Sequence, residues 1–476
     1  MSENFVDALR GAIERQVIPP FVYTYPPRSA YRGIQAVDTQ NIWEDDAQSS
    51  PGRALNLYIH IPFCRYKCGF CNLYTITSKS EELYSAYATA ICEELESMEP
   101  ILTQSKIVTI YFGGGTPSLL SLADFNRILC KLERISPGWR STAKEICIEA
   151  SPDSLADSRG LERLRELKQS GVTRINIGVQ SLDQAELRSA GRALAGTFEI
   201  ERAVDHVKIA EIPNLSTDLI IGFSGQTDAT WERSVRRLLD MRPETVSTYF
   251  LTLRPDAWFA GVKDYAKLER GPELYKRYDV GRELLLGSGY QQQTNNRFII
   301  PERGGYLQKV LQFHGVPVLG IGLGARTYTN TVDYLRWLPL VPVDDAVRRY
   351  LENSGSLPQV DFGFVYSSEE RIRKRLALDL FELDLTSLPE NENGEFSRVY
   401  SDILSACEDL GLAENVTDAT WRLSPSGYKY RDIISWAFFS DKVRKLDGAF
   451  YRGLRQSGRR RTWLGQAQPS TGRPAR

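Results

Sequence analysis

Three of the seven cysteines fall within eight residues, Cys64, Cys68 and Cys71, spaced C-x3-C-x2-C directly after the apolar run from Leu55 to Ile61. Pro62 and Gly69 flank the first two and bend the chain, so the loop can wrap a cluster. Thiolates are the protein ligands of iron–sulfur clusters. A [4Fe–4S] cubane takes four ligands, and three thiolates leave one iron open to something other than protein. A structural zinc site wants a fourth Cys or His close by, and neither Asn72 nor the residues after it supply one. A disulfide would leave an odd thiol. The spacing favours a cluster with one open iron, with Cys64, Cys68 and Cys71 as its ligands and as the catalytic centre.

The loop resembles that of the radical S-adenosylmethionine (SAM) enzymes, where the open iron is chelated by the amino and carboxylate groups of the methionine portion. Three further words narrow the resemblance: His60-Ile61-Pro62-Phe63-Cys64, Gly113-Gly114-Gly115-Thr116-Pro117-Ser118 and Gly178-Val179-Gln180-Ser181. Together they look like the oxygen-independent coproporphyrinogen III oxidase subfamily, over residues 55 to 440. The resemblance implies a [4Fe–4S] cluster, two bound SAM molecules and an electron donor such as a flavodoxin or ferredoxin.

Reductive cleavage of SAM needs an electron, a held methionine and a held nucleoside. Gly114, Gly115 and Thr116 follow a strand, so backbone without side-chain cover can approach the methionine. Glu149 closes a third strand and Gln180 a fourth; an acid ending an apolar strand is unusual unless it faces a polar pocket. By resemblance, Glu149 and Gln180 lie between the two SAM molecules, and Arg192 matches an arginine that pairs with a cofactor carboxylate through its bidentate fork. Asp218 interrupts the apolar run Leu215 to Ile221, which is costly unless it accepts hydrogen bonds, and ribose hydroxyls suit that role. Ile220 in the same strand is carried over with it as a cofactor contact. Tyr58 matches a tyrosine near the cluster and methionine. Gln312, Phe313 and His314 stand where the family contacts the second cofactor and the substrate, with Gln312 the cofactor ligand.

The resemblance has two gaps. The oxidase has a further cysteine after the loop, where this chain has Leu73. Its N-terminal Tyr-Thr-Ser-Tyr-Pro core is only partly echoed by Tyr23-Thr24-Tyr25-Pro26. The Asn72-Leu73-Tyr74 context looks more like the class C radical SAM methyltransferases. That likeness implies methylation or cyclopropanation of an sp2 carbon in a small aromatic or unsaturated natural product, with a partner methyltransferase as a possible companion. The alternatives are a coproporphyrinogen oxidase-like or haem-modifying enzyme and a non-enzymatic haem chaperone.

The elements that must position these residues alternate strand and helix, the mark of a parallel α/β sheet. Strands are expected at Leu55–Ile61, Ile107–Phe112, Glu145–Glu149, Arg174–Gly178, Leu215–Ile221 and Val246–Leu251, with amphipathic helices between them. Six such units match the partial (β/α)6 radical SAM barrel, whose ligands sit at the carboxyl ends of strands. The expected organisation is an N-terminal arm over 1–54, with a polar linker at 38–52, and the barrel over 55–300. A connecting glycine-rich region over 301–366 completes the site. A mostly helical winged-helix-like domain follows over 367–440, then a basic tail without expected structure over 441–476. Glu369, Glu370, Asp402, Glu408 and Asp409 make the winged helix too acidic for phosphate binding, so it is expected to pack over the barrel.

Of the 476 residues 42% are hydrophobic and 25% charged, with a net charge of −1, so no overall field draws nucleic acid or an anionic membrane. No apolar run is long enough to span a bilayer, and Met1 to Asn4 lack the basic start of a signal peptide. A cytoplasmic protein is expected, with Cys92, Cys130, Cys147 and Cys407 as buried free thiols.

Overall fold

Six strands whose apolar faces read almost continuously line up in chain order, because helices cover one side of the sheet and the barrel interior lies on the other. The computed structural model describes residues 2–49, 53–192, 195–252, 271–338, 343–356, 359–388, 395–417 and 419–456. The strands are β1 (Ala54–Ile61), β2 (Lys106–Gly114), β3 (Glu145–Ala150), β4 (Arg174–Gln180), β5 (Asn214–Ile221) and β6 (Thr245–Phe250), all paired parallel. A seventh, β7 (Val318–Ile321), pairs parallel on the outer side of β1, and Arg297–Ile299 runs antiparallel beside β6. The result is an α/β partial barrel of the expected radical SAM type.

Alternation along each strand divides its side chains between two faces. In β1, Leu55, Leu57, Ile59 and Ile61 are buried in the main core with the surrounding helices. Asn56, Tyr58 and His60 take the other face. Asn56 accepts a hydrogen bond from Thr109 of β2 at 2.6 Å. Helices return each strand to the next, and three of them have capped starts: Ser80 caps Glu81–Ser97, Ser121 caps Leu122–Ile135, and Thr227 forms a capping box on Asp228–Asp240.

The expected linker is not one. Thr39–Ser49 is a helix, held by Ile42 and Trp43 in apolar contacts, by a Trp43 Nε1–Tyr334 hydrogen bond of 3.1 Å and by the Asp46 carboxylate, which accepts from the Asn330 amide. Two apolar residues in a polar stretch carry no period, so the tertiary contact decides. The preceding strand Arg32–Val37 joins Val360–Val365 and Val332–Tyr334 in a second small sheet.

A second core unites the ends of the chain. Leu9, Val22, Tyr25 and Tyr31 of the N-terminal arm pack with Ile372, Leu376, Ile403, Leu423 and Ile434. Helices Ser368–Leu378 and Glu395–Asp409 precede the hairpin Ala413–Thr417/Thr420–Leu423, consistent with the winged-helix expectation. Of the acids expected on its surface, Glu370 is buried and accepts from the hydroxyls of Tyr25 and Ser440. Residues 441–456, expected as the start of the tail, form a helix whose Val443 is fully buried, while 457–476 lie outside the described residues. Cys130, expected buried, is exposed; Cys92, Cys147 and Cys407 are buried. Among the described residues no helix is long and apolar enough to cross a membrane.

Candidate cluster and cofactor site

The cysteine loop leaves the end of β1 and is fastened at both ends by backbone. Phe63–Cys64 pairs with Ile76–Thr77, Ser78 N–H donates to the Cys64 carbonyl at 3.1 Å, and Gly69 N–H donates to the Ala190 carbonyl at 3.1 Å. The three half-buried thiols line one pocket of about 190 Å³ at the carboxyl ends of the strands. Two side chains donate to the sulfurs: Thr116 Oγ1 to Cys64 and Arg192 to Cys68, each at 3.5 Å. Burial pushes the Cys64 thiol up to about 12, against the pull of the Thr116 hydroxyl, and burial also raises Cys71. A metal must displace those protons on binding.

Among the described residues no three His, Cys, Asp or Glu side chains converge to hold a single ion. The residues present fit a cluster: three thiols share one wall, and Arg192 is a buried cation beside them whose Nε has no partner.

The glycine triplet is required by three separate close approaches. A Cβ on Gly113 would lie 2.7 Å from the Tyr111 ring, on Gly114 2.5 Å from the His60 ring, and on Gly115 2.5 Å from the Phe63 carbonyl. Gly114 also has φ +115°, a region closed to most side chains. Its amide donates to Glu149 Oε2 at 2.9 Å, while Tyr111 donates to Oε1 at 2.7 Å. Burial raises the Glu149 carboxyl, and these two donors oppose it. Asp218 is likewise raised by burial and steadied by Asn176 Nδ2 at 2.8 Å. Gln180, at the irregular end of β4, has φ +71°, an uncommon conformation for a residue other than glycine, and it turns into the pocket.

Gly114, Gly115, Thr116, Glu149, Gln180, Arg192 and Asp218 thus line the pocket with the three cysteines. Arg192 is held by donation to the Gly178 carbonyl at 2.6 Å. Tyr58 lies behind this wall, donating to His60 Nδ1 at 3.0 Å and stacked on Tyr111. His60 Nε2–H donates to the Tyr74 carbonyl at 3.1 Å, and burial lowers this imidazole to about 4, so it is neutral. Ile220 faces a neighbouring cleft instead of the cluster pocket. Gln312 lines neither; its Oε1 accepts from Lys309 Nζ at 2.8 Å. It is buried near the end of helix Leu307–Phe313. His314, expected near the substrate, pairs with Asp379 at 3.1 Å in the C-terminal body.

The cleft is large, about 930 Å³, near the top of the ~300–1,000 Å³ range of small-molecule sites. The N-terminal arm supplies Phe21, Tyr23 and Arg28, the barrel Tyr249 and Phe250, and the C-terminal body Trp436 and Tyr451. Phe70, Leu73 and Glu149 line both spaces, so the cluster pocket opens into the cleft. Sequence reasoning missed the polar inner face below the pocket. Arg174 donates to Cys147 Sγ at 3.0 Å and to Ser216 at 2.7 Å, and Tyr306 lies between Arg174 and Arg297, 4.5 and 4.9 Å from their guanidinium carbons. The signal was the alternation Arg174, Asn176, Gly178, Gln180 along β4, which marks one polar face of an otherwise apolar strand.

Residues 58–238 match the radical SAM superfamily model. A haem chaperone of Haemophilus influenzae, HemW, is 25% identical over 398 residues, covering 82% of this chain and 98% of the relative. An oxygen-independent coproporphyrinogen III oxidase of Paracoccus denitrificans is 30% identical over 258 residues, covering 53% of this chain and 55% of the relative. Among solved structures, coproporphyrinogen III oxidase (HemN) of Escherichia coli superposes with a TM-score of 0.69 at 21% identity, covering 88% of this chain and 96% of that one, and so shares the fold. None of these three relatives is a natural-product methyltransferase, and the haem and porphyrinogen alternative fits them better.

Proposed function

We infer that this chain, with a radical SAM domain over 58–238, binds a [4Fe–4S] cluster on Cys64, Cys68 and Cys71 and a SAM molecule beside it, and handles a tetrapyrrole-like molecule in the adjoining cleft. The observation that carries this reading is the shared lining of Phe70, Leu73 and Glu149, which opens the cofactor pocket directly into a cleft of about 930 Å³. When bound, the cluster supplies the electron for reductive cleavage of SAM. Arg192 offers a buried cation to a carboxylate, the bare backbone of Gly114 and Gly115 admits the methionine, and Asp218 offers acceptors to ribose hydroxyls. Aromatic walls at Phe21, Tyr249, Phe250 and Trp436 suit a flat apolar body and exclude water from it.

A second reading, methyl transfer with two SAM molecules, is favoured by Leu73. It stands where the oxidase pattern has its further cysteine, and it is 44% exposed, facing both spaces. Glu149 and Gln180, ending neighbouring strands, would then lie between the two cofactors. The test is anaerobic turnover of the reconstituted protein, with haem and coproporphyrin III binding measured alongside. Tight binding of either tetrapyrrole, with carbon dioxide or unchanged ligand as the outcome, supports the first reading. No binding of either, with one deoxyadenosine and one S-adenosylhomocysteine per methylated product, hands the case to the second.

A further inference from the structure

Two cations in the cleft face no anion among the described residues. Lys309, on helix Leu307–Phe313, donates among the described residues to the neutral Gln312 amide, and the charged groups acting on it are Arg297, Arg326 and Arg431, all cations. Arg326, in the turn after β7, has a buried Nη1 without a partner, and its strongest interactions are with the phenols of Tyr23, Tyr328 and Tyr31. Tyr23 of the N-terminal arm joins them: its ring centre is 5.7 Å from the Lys309 ammonium and 5.0 Å from the Arg326 guanidinium carbon. The acids that line the same cleft are engaged elsewhere, Glu149 with Tyr111 and Gly114, Asp447 with Ser29.

Cations taken from water are ordinarily repaid by a counter-ion, and removing one partner of such a pair is strongly unfavourable. Here the missing partner has to come with the ligand. The surrounding wall is apolar and aromatic, so the ligand carries its charge at its edge. A planar guanidinium beside a single ammonium matches one carboxylate through the bidentate fork and a third donor. Phosphate sites are more often built from backbone amides at a helix N-terminus. We propose that Lys309 and Arg326, with Tyr23 beside them, form a subsite for a carboxylate of a molecule held in the cleft. The proposal rests on the cleft being a ligand site, and the carboxylate has two possible sources: the edge of a tetrapyrrole or the methionine of a second SAM. Burial and its cationic neighbours hold the Lys309 ammonium down to about 7, and an arriving carboxylate favours its charged form.

The test uses the full, anaerobically reconstituted chain and two probes: coproporphyrin III and its uncharged tetra(2-hydroxyethyl)amide, followed by fluorescence, and SAM, counted per chain by equilibrium dialysis. The variants are Lys309→Met with Arg326→Met, and Lys309→Met alone in case the pair does not fold; thermal melts report the fold. If the wild type prefers the acid by about tenfold or more and the variant loses that preference, the tetrapyrrole carboxylate occupies the subsite. If bound SAM drops from two to one in the variant, the carboxylate is the cofactor's and the subsite stands: a wild type that binds both porphyrins equally then keeps the tetrapyrrole reading, and one that binds neither shows that reading to have failed. An acid preference that survives in the folded variant, or no change in either porphyrin discrimination or SAM count, overturns the proposal.

Discussion

Removing the charge of Lys309 should make the ligand-free protein more stable. Loss of water on burial and the guanidiniums of Arg297, Arg326 and Arg431 hold this ammonium down to about 7, against an ordinary 10.5. The unfolded chain therefore keeps a proton that the folded chain resists, and stability rises with pH between about 7 and about 10.5. At ~1.4 kcal/mol for each pH unit, the ceiling on this penalty near neutrality is about 5 kcal/mol. Water in the open cleft screens a large part of it, and Lys309→Met also breaks the bond to Gln312, worth about 1 kcal/mol. The expected net gain is about 1–2 kcal/mol, or a few degrees in melting temperature. Scanning calorimetry of the ligand-free chain at about pH 7 and about pH 10 reads both the gain and its decay. A variant that melts below the wild type at the lower pH, or a difference equal at both, would refute the electrostatic reasoning.

The remaining expectations concern the cluster pocket. Cys68→Ala should lose the cluster and with it deoxyadenosine formation; full iron content in the folded variant would sink the ligand assignment. Cys147→Ser should keep full iron content, since this thiol faces Arg174 inside the barrel, and loss of iron from the folded variant would require a fourth ligand. Gly114→Ala sets a Cβ 2.5 Å from the His60 ring at φ +115°, so it should cost about 2–4 kcal/mol of stability and weaken SAM binding. A melt matching the wild type would show that the His60 ring yields.

Much of the barrel was legible because its strands announce themselves twice, by apolar runs and by the motifs that end them. The expected Leu122–Ile135 and Thr197–Ile209 helices coincide with those in the structure, the first with period and the Ser121 cap in agreement, the second on its apolar period alone. The pocket was legible at Gly114, Glu149 and Gln180, which break an apolar pattern at a strand end, and at Asp218, which interrupts one within its strand. What was not legible depends on distant contacts. Helix Thr39–Ser49 shows only two apolar residues, and its partners Tyr334 and Asn330 lie nearly three hundred residues away. Gln312 was carried over from a motif, and only the turn of its helix shows that it serves Lys309. The Lys309–Arg326 pair left no trace in spacing, because its members come from separate elements and meet on a tyrosine from a third.

The closure of the N-terminal arm on the C-terminal body has a consequence for biosynthesis. Val22 N–H donates to Asp432 at 3.2 Å, Gln16 reaches Tyr430 at 3.3 Å, and Trp436 donates to the Pro20 carbonyl at 3.2 Å, each spanning more than four hundred residues. Contacts so far apart in sequence form late, after the ribosome has released most of the chain. Strands β1 to β6 and the cysteine loop are complete by Phe250, well before Tyr430, Asp432 and Trp436 are made. A nascent chain thus has a folded cluster loop before it has a roof over the cleft. On the proposed function, a cluster loaded at that stage would enter from the side that the arm later closes.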